Sequence, residues 1–313
     1  MREFAYERVG DAEAAVAAGG TYLGGGTNLV DLMKLGVATP ERLVDVSHLS
    51  AGIEATGDGV RIGAAARMAD VARHPDVPPL LAEALLAGAS PQLRNVATVG
   101  GNLLQRTRCP YFQDVTKPCN KRAPGSGCPA IEGHHRDLAV IGHSEHCVAT
   151  HPSDMAVALA ALGADVEVLG PDGARTIPIP GLHRLPGDEP QRDTVLAPGE
   201  LITAIGVHAG PGRARYRKVR DRATFTFAVV SIAAMLDVRD GVVADARIAF
   251  GGLAHVPWRA ERAEAALRGN QATQAAFGAA ADAELEPAAP LRDNGFKVKL
   301  ARNLLVSTLS ELA

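Results

Sequence analysis

The sequence predicts an α+β fold in two parts, on three observations. Strand-like runs alternate with helical runs before residue 212 and are punctuated by glycine turns. The texture changes near residue 212, in HAGPGRAR, to longer strand and hairpin patterns followed by helices. A 47% hydrophobic share over 313 residues is enough to build more than one core.

Taken in order, DAEAAVAAG over 11–19 has helical spacing and is stopped by Gly19 and Gly20. TYLGGGTNLVDLMKLG reads as strand, glycine turn and helix, while RLVDVSHL over 42–49 and GVRIGAAAR over 59–67 read as strands. MADVARH and PPLLAEALLAGAS carry helical spacing, the second closed by Pro91 and the polar residues after it. ATVGGNLLQ over 97–105 is a second glycine turn, and a cysteine-bearing segment rich in proline and glycine follows it. Ser153 then stands as the N-cap of an apolar helix in SDMAVALAALGA, and ADVEVLGPDGARTIPI reads as a hairpin through PDG. Beyond residue 212, ARYRKVRDRATFTFAVVSIAAMLDVRDGVVADARIAFGGL predicts a strand, a packed apolar segment and a hairpin through RDG. WRAERAEAALRG, ATQAAFGAAADAEL and NGFKVKLARNLLVSTLSEL predict helices.

A formal net charge of −3 gives no clustered basic excess to attract nucleic acid or an anionic membrane. The first residues, MREFAYERVGDAEAA, mix charge with apolar residues and carry no secretory signal, and no stretch is long enough to insert in a bilayer. The expected location is cytoplasmic, or periplasmic if the chain is exported folded with a partner.

The first glycine turn is Gly24-Gly25-Gly26-Thr27-Asn28-Leu29. Glycines after a strand let backbone amides approach a ligand, and a helix beginning at the next residues points its positive end at the same spot, which suits a pyrophosphate. A plain tight turn is the alternative. The string is neither the dinucleotide fingerprint G-x-G-x-x-G nor a P-loop, since Gly-Lys-Ser/Thr is missing. The second turn, Ala97-Thr98-Val99-Gly100-Gly101-Asn102, repeats the device with Thr98 and Asn102 able to hydrogen-bond phosphate or ribose. At Ser153-Asp154 a hydroxyl and a carboxylate meet at a helix start, either as ordinary capping or with Asp154 accepting from ligand hydroxyls.

All the cysteines fall in one window, as Cys109-x9-Cys119-x8-Cys128-x18-Cys147. Four thiolates meet the demand of a cubane [4Fe-4S] cluster, one per iron. Prolines and glycines let the loop wrap a compact core, and Arg106, Arg108, Lys117, Lys121 and Arg122 offset its negative charge. Zinc is an alternative, although the close C-x(2–4)-C knuckles of structural zinc sites are missing. Two disulfides would need an oxidising compartment. Unliganded structural thiols are the last alternative, at odds with such polar surroundings. His134, His135, His143, His146 and His151 read as surface or hydrogen-bonding residues, and Tyr111 and Phe112 either shield a cluster or pack the loop.

The ordered set of both glycine turns, Ser153-Asp154, and Tyr216-Arg217-Lys218-Val219 with Arg222 resembles the flavoprotein subunit of the xanthine dehydrogenase family of molybdenum hydroxylases, over nearly the whole chain. The resemblance implies an FAD-binding domain of the vanillyl-alcohol-oxidase (PCMH) type at 1–212, built of two α/β subdomains, with an inserted iron–sulfur loop at 103–151. A small α+β domain like that ending carbon monoxide dehydrogenase flavoproteins is implied at 213–313. It implicates Gly24, Gly25, Gly26, Thr27, Asn28, Leu29, Thr98, Gly101, Asn102, Ser153, Asp154 and Lys218 in FAD binding. The cysteine loop is similar to that of the FAD and iron–sulfur subunit of periplasmic aldehyde oxidoreductases, which implies a [4Fe-4S] cluster on Cys109, Cys119, Cys128 and Cys147. Implied partners are a large subunit with molybdopterin, a small subunit with [2Fe-2S] clusters, and an external acceptor that is ferredoxin-like, a quinone or oxygen. The expected function is electron relay from an aldehyde oxidised to an acid on the partner, so no catalytic acid, base or nucleophile is assigned to this chain. Hydroxybenzoyl-CoA reductase-like and xanthine dehydrogenase-like complexes are alternatives within the family. A free-standing flavin oxidoreductase and a zinc-stapled binding module without redox activity are alternatives of other classes.

Overall fold

A computed structural model describes residues 1–210 and 212–313; Pro211, within the HAGPGRAR stretch, lies outside the described residues. Three sheets organise the chain. The first is parallel, in the order β1-β3-β2, from β1 (Ala5–Arg8), β2 (Thr21–Leu23) and β3 (Arg42–Asp45). The second is antiparallel, in the order β4-β5-β8-β6-β7, from β4 (Ile53–Ala55), β5 (Gly59–Gly63), β6 (Asp165–Gly170), β7 (Gly173–Pro178) and β8 (Leu201–His208). The third is antiparallel, in the order β12-β11-β10-β9, from β9 (Arg213–Val219), β10 (Val230–Arg239), β11 (Val242–Gly251) and β12 (Trp258–Arg259). The hairpin joining β10 to β11 turns on Asp240 and Gly241, both at positive φ (50° and 78°), as a tight RDG turn requires.

The helix Asp154–Leu162 joins these layers. All nine of its residues are buried, because apart from Asp154 it is made of alanine and larger apolar side chains and offers no polar face to water. Its side chains share one core with β5, β6 and β8 of the second sheet and with Ala233, Met235 and Ala249 of the third. Ser153 caps it by accepting from the Ala156 amide at 2.9 Å, and Gly163 ends it in the left-handed region. A second core lies between the third sheet and the helices Glu261–Leu267, Gln274–Leu285 and Phe296–Leu312. No helix among the described residues is long and apolar enough to cross a membrane.

Several expectations need correction. Pro91 does not close a helix; it opens the short helix Pro91–Arg94 behind the Ser90 cap, where its missing N–H costs nothing, and the preceding helix ends at Ala87. The TVGGN turn is itself the first turn of a short helix, Val99–Leu103, with Thr98 as N-cap. Trp258 and Arg259 pair with β11 instead of starting a helix, which begins at Glu261. The cysteine segment is largely irregular, apart from a single turn at Pro110–Gln113.

The C-terminal helix clamps the cysteine segment to the third sheet. Lys297, fully buried, donates to the carbonyls of Asp137 and Leu138 at 3.2 and 2.8 Å and to that of Gly252, while Asn294 Nδ2 reaches the carbonyls of His135, Leu138 and Ala139. Burial pushes the Lys297 ammonium down from its ordinary 10.5 to about 7. Between those values the unfolded chain keeps a proton that the folded chain has released. Stability therefore rises with pH across that window, by at most about 1.4 kcal/mol per unit, and this contribution is flat below it. Urea denaturation across the window should show the rise in the wild type and lose it in Lys297→Met.

Candidate cofactor site

The two glycine turns pack on each other. A β-carbon at Gly25 would lie 2.1 Å from the Val96 carbonyl oxygen and one at Gly24 2.8 Å from Thr98 Oγ1, while within the second turn one at Gly101 would crowd the same hydroxyl at 2.9 Å. Gly26 sits at φ +72°, a backbone conformation that side-chain-bearing residues rarely adopt. Both turns therefore open onto one cavity of about 860 Å³, lined by Gly24 to Leu29 from the first and by Thr98, Gly101 and Asn102 from the second. Asn28 is oriented by its side-chain oxygen, which accepts from the Arg106 amide at 2.9 Å; its Nδ2 is buried without a partner, a donor left for a ligand. Because a backbone carbonyl cannot move aside, Gly25→Ala should separate the turns and weaken binding in the cavity about tenfold or more, a cost of ~1.4 kcal/mol, read as cofactor lost on purification.

Asp154 and Lys218 reach the same cavity from distant parts of the chain. Asp154 accepts from the Tyr216 hydroxyl and, at 2.8 Å, from the Lys218 ammonium, which also donates to the Ala87 carbonyl. Burial, then the Asp154 charge, holds the Tyr216 phenol well above its usual range, so it stays a donor. Ser153 is absent from the lining: its hydroxyl caps the helix and donates to Asn102 Oδ1. It supports Asn102 from behind the cavity wall.

The four thiols are free and line a second, small cavity of about 10 Å³, the room of a single water, together with Thr107, Tyr111, Phe112 and Lys121. Burial pushes Cys109 up to about 11. A hydrogen bond with Cys147 brings Cys128 down to about 6, and the same bond, with burial, pushes Cys147 upward. Among the described residues no three His, Cys, Asp or Glu side chains close to the distance of a single ion.

The charged residues expected around the thiols are divided differently. Only Lys121 lines the thiol cavity, whereas Arg106 and Arg108 line the larger one. Arg122 spends its guanidinium on the carbonyls of Tyr111, Phe112 and Lys117, shaping the loop. His135 is buried and His151 half-buried: His135 bonds the Ala130 carbonyl and the Asp293 amide, and desolvation holds His151 well below its usual range. Sequence reasoning missed Asp193, which pairs with Arg106 and Lys121, and missed Phe225 and Phe227, exposed aromatics on the rim of the larger cavity. No motif surrounds any of the three.

Residues 3–208 match the FAD binding domain in molybdopterin dehydrogenase, and residues 214–312 match the CO dehydrogenase flavoprotein C-terminal domain. The chain is 50% identical to the aldehyde oxidoreductase FAD-binding subunit PaoB of Escherichia coli K12, over 99% of this chain and 98% of that one. It is 30% identical to the carbon monoxide dehydrogenase medium chain of Hydrogenophaga pseudoflava, over 96% and 93%. A solved structure of the carbon monoxide dehydrogenase from that organism superposes with a TM-score of 0.77 at 28% identity, covering 99% of this chain and 97% of that one. With the two matched domains in sequence, the paired glycine turns on one cavity and full-length identity to these subunits, the chain belongs to the FAD-binding medium subunits of the molybdenum hydroxylases, a family of oxidoreductases.

Proposed function

We propose that the chain is the electron-transfer subunit, carrying FAD and a [4Fe-4S] cluster, of a heterotrimeric molybdenum hydroxylase that oxidises an aldehyde to a carboxylic acid. The observation that carries this reading is the pair of cavities, one walled by both glycine turns and one by all four thiols, with no lining residue in common. The substrate class rests on the 50% identity to PaoB. In this reading residues 1–212 form the FAD domain with the iron–sulfur loop at 103–151, and 213–313 form the C-terminal domain.

The amides of Gly24 to Leu29 and the side chains of Thr98 and Asn102 would hold the flavin's pyrophosphate and neighbouring groups, with the free Asn28 Nδ2 donating. Gly101 keeps that wall free of side chain. Asp154 would accept from ligand hydroxyls, Lys218 would fix Asp154 and place a positive charge on the wall, and Ser153 would hold Asn102 in place. Cys109, Cys119, Cys128 and Cys147, which line one cavity, would ligate the cluster. When bound, FAD takes one or two electrons and the cluster one, which allows one-electron carriers to be coupled to an external acceptor. Electrons would arrive from [2Fe-2S] clusters of a small subunit after oxidation at the molybdopterin of a large one, and would leave to a ferredoxin-like protein, a quinone or oxygen.

Zinc on the same thiols is the rival reading, and the lack of single-ion convergence among the described residues weighs against it. One experiment separates the two. Anaerobically purified protein should show flavin bands over a broad iron–sulfur absorption, with iron and acid-labile sulfide in equal amounts; zinc without iron would overturn the cluster.

A further inference from the structure

A single ion-pair chain crosses the wall between the two cavities. Arg106 lines the larger one; its Nε donates to Asp193 Oδ2 at 2.6 Å, and its guanidinium lies 4.7 Å above the Phe112 ring, which lines the thiol cavity. From the thiol side, the Lys121 ammonium, 2% exposed, donates to the other Asp193 oxygen and, at 2.7 Å, to the Pro190 carbonyl. Asp193 is the one acidic partner of either cation among the described residues. Burial works to raise its carboxyl, but Lys121 and Arg106 outweigh that and hold it below its usual range. His151, His183 and His255, which feel the Asp193 charge, are all pushed down by burial and add no charge at neutral pH. Two cations, Lys121 buried and Arg106 about one-third exposed, thus share one half-buried anion, leaving one positive charge in surplus.

We propose that Asp193 is a positioning residue that couples the two cofactor cavities electrostatically, holding Lys121 toward the thiols and Arg106 toward the flavin so that the charge on either cofactor is felt at the other. The proposal rests on the FAD and cluster assignments above. Charges shielded from water interact more strongly than exposed ones, so the Lys121 end of the chain, 2% exposed, is screened least, and the Arg106 end more. Coupling of this kind is also reciprocal: if electron gain at the thiol-bound centre disfavours electron gain at the flavin, the reverse holds to the same extent.

The test reads redox midpoints by spectroelectrochemical titration of protein purified with the subunits it carries, with iron and sulfide measured on every variant. Lys121→Met removes a positive charge that touches only the thiol cavity and releases the Asp193 charge toward Arg106, so the flavin midpoint should fall. Lys121→Arg keeps the charge and should leave it in place. Asp193→Asn unbalances the wall in the opposite sense and should raise both midpoints. A flavin midpoint unmoved by Lys121→Met at wild-type iron content overturns the coupling alone. If Lys121→Met sheds its iron, Arg106→Met decides: an iron–sulfur midpoint that falls supports the coupling, and one that stays overturns it. A wild type without iron defeats the cluster assignment, and the coupling with it.

Discussion

With the proposed cluster on the four thiols, Cys147→Ser should remove most of the iron that cluster brings, about four per chain, while leaving flavin bound. A serine oxygen is a poor match for iron that prefers thiolate, and the buried position offers no replacement ligand from solvent, since Cys147 is 5% exposed. Flavin should survive because none of the residues lining the thiol cavity lines the larger one. Visible spectra would then show flavin bands free of the broad iron–sulfur background. Equal loss of flavin and iron would instead mean that the variant is misfolded, and Cys128→Ser, at a more exposed position on the same cavity, serves as the second measurement.

Asp154→Ala carries the largest expected cost in stability, about 3–5 kcal/mol, the range for breaking one side of a buried ion pair. The Lys218 side chain is 3% exposed and its carboxylate partner 9%, so the variant leaves an ammonium with only the Ala87 carbonyl, and a Tyr216 hydroxyl with its acceptor gone. The midpoint of urea denaturation should fall accordingly, and flavin content with it. Because the penalty comes from the stranded charge, Asp154→Ala combined with Lys218→Met should recover stability but not flavin, which separates packing from ligand binding.

The parts of the site legible in the sequence are those written in contiguous residues. Gly24 to Leu29 and Thr98 to Asn102 announce themselves because an amide-lined bend needs glycine at fixed places in a short string, and Ser153 because a helix cap is a local pattern. Asp193 is illegible for the opposite reason. It sits in an irregular stretch with no periodicity, and its partner Lys121 is 72 positions away, so only the folded chain brings them together. Arg106 and Arg108 stand close to Cys109 in the sequence, but both line the larger cavity, and the Arg106 guanidinium is held by Asp193 over the Phe112 ring. Pro91 and Trp258 show where local rules divide: proline serves both to end and to begin a helix, and an aromatic–arginine pair ahead of a helical run was claimed by a free strand edge.

The helix Asp154–Leu162 has no side facing water, and the layers packed on it come from both before and after residue 212. The protein therefore cannot be divided at residue 212 into a flavin module and an accessory module. A shortened polypeptide ending there would expose an oily rod and lose the lysine that neutralises Asp154. Grafting the FAD portion onto another scaffold will succeed only if the strands from Arg213 to Gly251 travel with it.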